Sequence, residues 1–199
     1  MTIDRARFDT GLTYQAYKAQ MTRNRDRLEE NERRVDLSKD DLAAFRALPR
    51  SVNVLVLAED WCGDVIANLP LLGRLAHDSG KLEVRIFLRD QNDDIMQRYL
   101  NKGQFKSIPV FVFFDEDFRE LGHWIERPAS VTEVRAKRRK QIFAAHPEFG
   151  SPDAPVDQLA EHVRVKLQGE LAKMRDETTK FANAEVVREL REIATRVAA

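Results

Sequence analysis

The stretch LAEDWCGDVIANLP, residues 57–70, decides the fold. It grows out of VNVLVLA at 52–58, a short apolar run rich in β-branched residues that predicts a buried strand. Glu59, Asp60 and Trp61 then lead to Cys62 and Gly63, and from residue 63 to about 77 the pattern is helical. Pro70 lies inside that helix and predicts a kink. A strand that runs straight into a cysteine at a helix start sets the sulfur at the carboxyl edge of a sheet, where open α/β sheets bind ligands.

Outward from this stretch, strands and helices alternate. KLEVRIFL at 81–88 alternates as a second strand, and NDDIMQRYLNKG at 92–103 reads as a helix ended by Gly103. PVFVFFD at 109–115 and RELGHWIE at 119–126 form a predicted hairpin around an acidic turn. Upstream, residues 12–34 carry no Gly or Pro after Thr13, and Leu12, Tyr14, Tyr17, Met21 and Leu28 fall at helical spacing, which predicts one amphipathic helix. LSKDDLAAFRALP begins another, with Ser38 as N-cap and Pro49 marking its end. Downstream, Ser130 and Glu133 have capping-box spacing ahead of a third helical stretch. PEFGSPDAP at 147–155 is a loop, Val156 to Met174 form an apolar stripe, and a last helix closes the chain. The expected architecture is α/β: a central mixed sheet with flanking helices, and helical extensions at both ends. It divides into an N-terminal helical extension at 1–50, a core at 51–127 and a C-terminal helical extension at 128–199.

The core resembles the thioredoxin family. A buried strand leads into Trp61-Cys62-Gly63 at a helix start; Pro70 stands eight residues after the cysteine; SIPVFVFFD holds the Ile108-Pro109 segment; Gly122 lies in the last strand. The wider pattern, with LAEDWCGD, NLP, MQRYL, SIPV and an RP after the last strand, is similar to a bacterial subgroup of that family with a helical leader. The resemblance implies a thioredoxin-like fold, a cis peptide before Pro109 opposite Cys62, and a partner-binding surface formed by Trp61, Gly63, Asp64, Ile108 and Pro109. It also shows where this chain departs. Val65 stands where the second cysteine would be, Val56 where many members keep a buried aspartate, and Asp64 where a proline is usual between the cysteines. A two-cysteine mechanism is therefore excluded, because no internal thiol can release a mixed disulfide from Cys62.

The physical chemistry of the thiol pulls two ways. A sulfur at a helix N-terminus faces unpaired backbone N–H groups and the positive end of the helix dipole, which favour the thiolate. Glu59, Asp60 and Asp64 surround it with negative charge, which favours the thiol. Glu59, Asp60 and Val65 are thus the expected modulators of Cys62. The carboxylates also fit solvated loop and helix-start positions, and Asp64 in a first helical turn stabilises the helix whatever else it does.

Bulk properties narrow the function classes. Lys plus Arg and Asp plus Glu number 33 each among 199 residues, so no global field favours nucleic acid or an anionic membrane. The acidic excess sits in the core, 13 acidic against 9 basic residues over 51–127. The basic run RAKRRK at 135–140 lacks interleaved aromatics and reads as a solvated helix face. One cysteine and four scattered histidines give no disulfide, no metal spacing and no cofactor motif. No stretch approaches a membrane span, and the first residues have no apolar signal core, so a cytoplasmic, reducing setting is expected.

The leading expectation is monothiol thiol–disulfide exchange, or thiol-dependent binding, at Cys62. Its partner is a thiol- or disulfide-bearing protein or a small thiol, with self-association through the C-terminal helices as a further expectation. The alternative is a redox-inactive binding or scaffold module whose cleft holds a peptide or small ligand. An iron–sulfur carrier of the monothiol glutaredoxin kind is set aside, since those carry Cys-Gly-Phe-Ser and this chain has Cys62-Gly63-Asp64-Val65.

Overall fold

The computed structural model of the chain describes residues 3–152 and 155–198. Its frame is a four-stranded mixed sheet in the order β2-β1-β3-β4. Strand β1 (Val52–Ala58) is buried at every position; it is apolar except for Asn53, whose Nδ2 donates to Asp115 O at 3.0 Å. It pairs parallel with β2 (Leu82–Leu88), Val54 opposite Val84, and antiparallel with β3 (Val110–Phe114), Val54 opposite Phe113. Strand β4 (Glu120–Ile125) completes the predicted hairpin, with an irregularity in register at Phe113 and Phe114. The acidic turn between β3 and β4 is closed by Asp115, whose Oδ1 accepts the N–H groups of Asp117 and Arg119 at 2.9 Å each.

By its contacts the chain forms two compact units. One comprises Met1–Arg127 together with Val186–Ala199; the other is Pro128–Glu185. In the first, Val186, Val187, Leu190, Ile193 and Ala194 join the core built on the sheet. Gly122 on β4 is where these residues come closest: a Cβ there would stand 2.8 Å from Arg196 Nη1 and 3.2 Å from Ile193 Cγ2. In the second unit, helix α7 (Ala129–Ala145) contributes Phe143 to a small core with Phe149 and Leu167. Val156, Leu159, Val163 and Leu171 of the predicted stripe pack on that core.

Four elements differ from the sequence expectation. The single helix predicted over 12–34 is two, α1 being a short turn at Arg5–Asp9, α2 running Tyr14–Gln20 and α3 Arg25–Arg34. Between α2 and α3 the amides of Thr22 and Arg23 donate to the Asp60 carboxylate rather than to helical carbonyls, and Asn24 adopts a left-handed φ of 55°. The helix predicted over 92–103 is only α6, Asp93–Met96. Beyond it the N–H groups of Arg98 and Tyr99 bond three residues back, and Lys102 and Gly103 turn the chain at φ 53° and 70°. Ser130 caps nothing. It lies within α7, which starts after Pro128, and its hydroxyl donates to Glu185 at 2.7 Å. The two C-terminal helical stretches are one α-helix, Glu161–Ala194, in keeping with the lack of Gly or Pro between Leu171 and Ala194.

The N-terminal helices matter because they position the site. Helix α4 (Lys39–Arg46) begins as predicted, Ser38 Oγ accepting the Asp41 N–H at 3.0 Å. Leu12 exchanges two backbone hydrogen bonds with Ile86, of 2.9 and 2.8 Å, against the edge strand β2. Pro70 has no N–H, so the carbonyl four residues before it, that of Ile66, loses its helical donor. Asn31 on α3 supplies one, its Nδ2 donating to Ile66 O at 2.9 Å. The proline and the leader thus form a pair: one leaves a buried acceptor, the other satisfies it.

Candidate functional site

Cys62 is the N-cap of α5 (Gly63–Ser79), with extended backbone at φ −83° and ψ 120°. Its sulfur is half-buried. The Sγ–H donates to Ile108 O at 3.4 Å, and the Ile108–Pro109 peptide is cis. The structure therefore brings Cys62, Ile108 and Pro109 together from a helix start and the lead-in to β3, although 46 residues separate Cys62 from Ile108. Burial pushes the Cys62 thiol above its ordinary value; the amides of Val65 and Asp64 draw it down, and the charges of Asp64 and Glu126 push it up again. Burial and the carboxylates win over the helix terminus, so at rest the thiol form is favoured.

Each remaining predicted residue has a defined place. Trp61 is 42% exposed, and the Arg89 guanidinium lies over its ring, 4.8 Å from the centroid. Gly63 fronts open space: a Cβ added there meets nothing within 4 Å. Asp64 forms an ion pair of 2.7 Å with Arg127. Val65 is fully buried in the sheet core, and Val56 on β1 likewise, so no buried carboxylate stands beneath the thiol at Val56.

Glu59 and Asp60 do structural work with one oxygen each. Glu59 Oε1 accepts the Asp90 N–H at 2.9 Å, and burial raises the Glu59 carboxyl above its usual range against that hydrogen bond. Asp60 Oδ2 accepts Thr22 N–H at 2.7 Å, Thr22 Oγ1–H at 3.1 Å and Arg23 N–H at 3.0 Å. Burial opposes ionisation of Asp60, but these donors outweigh it and hold the carboxyl below its usual range. Asp60 O also accepts from Asn24 Nδ2 at 2.9 Å. The loop before the thiol is therefore tied down by the leader.

Three residues of the site carried no signal of their own in the sequence. Glu126, at φ 64°, donates its N–H to Pro109 O at 2.8 Å, accepts from Asn101 Nδ2 at 3.0 Å and bonds Arg127. Its charge reaches Cys62. Arg127 was visible only as the arginine of an RP pair, with no indication that it would face Asp64. Tyr17 read as one more apolar position of an amphipathic helix. It is buried beside Glu59, Asp60 and Cys62, and burial followed by those three charges raises its hydroxyl well above the ordinary tyrosine value. Among the described residues no three His, Cys, Asp or Glu side chains gather as a metal site would need, and no helix is long and apolar enough to cross a membrane.

A family model described as thioredoxin matches residues 11–140. No curated protein matches the chain. Among solved structures, an HIV epitope scaffold superposes with a TM-score of 0.64 at 18% identity, covering 96% of this chain and 97% of its own. A protein of unknown function from Pseudomonas aeruginosa superposes with a TM-score of 0.60 at 18% identity, covering 88% of this chain and 99% of its own. At that identity both similarities speak for the fold.

Proposed function

The chain belongs to the thioredoxin family, and on that premise we propose that it performs thiol–disulfide exchange with a single thiol. The Cys62 thiolate attacks a disulfide, one half of the target becomes bonded to Sγ, and the other half leaves as a thiolate. An external thiol then attacks the mixed disulfide and restores Cys62. The observation that carries this reading is the placement of Sγ. It is half-buried at the N-cap of α5, where the amides of Asp64 and Val65 favour the thiolate, with open space in front of Gly63. Trp61 offers an exposed aromatic surface beside it. A reducing, cytoplasmic setting would supply the external thiol.

A redox-inactive binding module is the second reading, and one observation favours it: the thiol donates to Ile108 O, and burial raises it above its ordinary value. Intact-mass analysis separates the two. The reduced protein is incubated with hydroxyethyl disulfide, and a Cys62→Ala variant serves as control. Exchange predicts a mixed disulfide on folded protein that a small thiol removes. A thiol that stays unmodified when folded and reacts only after denaturation overturns it.

A further inference from the structure

A cavity of about 290 Å³ lies between α2 and the loop that leads from β1 to Cys62. Tyr17, Met21, Glu59, Asp60 and Leu88 line it. Tyr17 is 1% exposed, and its hydroxyl has no hydrogen-bond partner among the described residues. A buried polar group of that kind costs stability unless something satisfies it. The two carboxylates are each half used: Glu59 accepts the Asp90 N–H through Oε1, and Asp60 accepts its three donors through Oδ2. Glu59, Asp60 and Tyr17 thus bring two carboxylates and a hydroxyl, all able to accept hydrogen bonds, to the lining of one small space. A primary ammonium has three donors and no acceptor. Its charge would offset the repulsion between two adjacent carboxylates, and Met21 and Leu88 are apolar cover for a short methylene stem. The cavity wall and the thiol share one turn, since Cys62 N–H donates to Glu59 O at 3.2 Å.

We propose that this cavity binds the primary ammonium group of a small aminothiol disulfide and so presents that disulfide to Cys62. The inference rests on the exchange reading above and assigns its substrate class. In the step, Cys62 S⁻ attacks the sulfur joined to the ammonium arm, the Cys62–sulfur bond forms and the disulfide bond breaks. The other half departs as a thiolate and takes a proton from water. Cys62 is oxidised to a mixed disulfide and the departing half is reduced, so no further oxidant is required. Raising local positive charge beside the sulfur also favours the thiolate that the resting site disfavours.

The test compares adduct formation with cystamine, hydroxyethyl disulfide and dithiodiglycolate, cationic, neutral and anionic in turn. Each rate is read by intact mass and normalised to that of 2-mercaptoethanol with the same disulfide. Cystamine is expected to be favoured over hydroxyethyl disulfide by about tenfold, the worth of one charge-assisted hydrogen bond. Glu59→Gln keeps an oxygen for Asp90 but loses the charge, and should bring that ratio close to one; Tyr17→Phe should lower it several-fold. A ratio within about twofold of the reference thiol, or one that survives both substitutions, overturns the proposal. A second arm needs no chemistry. A Cys62→Ser protein titrated with n-butylammonium should show saturable amide shifts at Tyr17 and Glu59, with none for n-butanol. Adducts without charge preference and without butylammonium binding sink the amine site and leave exchange standing. Butylammonium binding without any disulfide adduct sinks the exchange reading and with it this substrate class.

Discussion

Replacing Asp60 by alanine should detach the helical leader from the thiol loop, and the structure sets the size of the effect. Three hydrogen bonds are lost, from Thr22 N–H, Thr22 Oγ1–H and Arg23 N–H to one carboxylate oxygen. A hydrogen bond to a charged acceptor contributes about 1.5–3 kcal/mol when desolvated and about 1 kcal/mol in ordinary settings. Thr22 and Arg23 are exposed, so water can take over their amides once the carboxylate is gone. The lower figure applies, and Asp60→Ala should cost about 2–3 kcal/mol, Asp60→Asn about 1 kcal/mol because it keeps an acceptor. Urea unfolding followed by circular dichroism reads this as a fall in midpoint. The pH dependence has a fixed sign. The folded carboxyl lies below its unfolded value, so its contribution is complete above the unfolded value and fades as pH falls through the folded one. The gap between wild type and Asp60→Ala should be constant from about pH 8 to 5 and narrow below about pH 4. Cys62 should also alkylate faster in Asp60→Ala, since its loop loosens. A loss under about 0.5 kcal/mol, with unchanged alkylation, would refute the view that Asp60 anchors the leader.

Three further outcomes are expected. Iodoacetamide modification of Cys62 should still be accelerating above pH 9, because the fold displaces its titration upward, and Asp64→Asn should shift the profile to lower pH by removing one nearby negative charge; an unshifted profile would mean that the Asp64 charge does not act on the thiol. Val65→Cys restores a second thiol at a fully buried position of similar volume, at a stability cost of about 1 kcal/mol. It should turn the persistent mixed disulfide on Cys62 into a transient one that ends as an internal disulfide, read by mass; a persistent adduct would show that the two sulfurs cannot meet. Tyr14→Phe removes a buried hydroxyl with no partner among the described residues, so thermal unfolding should show equal or higher stability, by up to about 1 kcal/mol; a clear loss would point to a partner for that hydroxyl.

Strand β1, helix α5 and the hairpin were legible because local pattern and burial agree there. Seven buried residues in a row, all apolar but Asn53, admit a strand on both faces of which something packs, and Cys62-Gly63 after it admits a helix start. Pro70, Pro109 and Gly122 were legible as punctuation, and the resemblance set Pro109 opposite Cys62, but the partners were not legible: Asn31 for Ile66 O, the Cys62 Sγ–H for Ile108 O, and the close approach of Ile193 and Arg196 to Gly122. The break between α2 and α3 was hidden for a related reason. Helical spacing in 12–34 is intact, and only a carboxylate 38 residues away competes for the Thr22 amide.

The sequence by itself determined the α/β frame, the single thiol and the loss of its resolving partner, since each is written in adjacent residues or in a missing one. Tertiary structure alone decided which carboxylate does what. Asp60 anchors the leader, Asp64 pairs with Arg127, Glu59 turns one oxygen to Asp90, and Glu126, invisible as a site residue, adds its charge to the thiol's surroundings. It also decided that Cys62 rests as a thiol. A helix terminus and nearby charges can be read from a sequence, but the desolvation that joins those charges against the helix terminus depends on how much protein the fold packs around one sulfur.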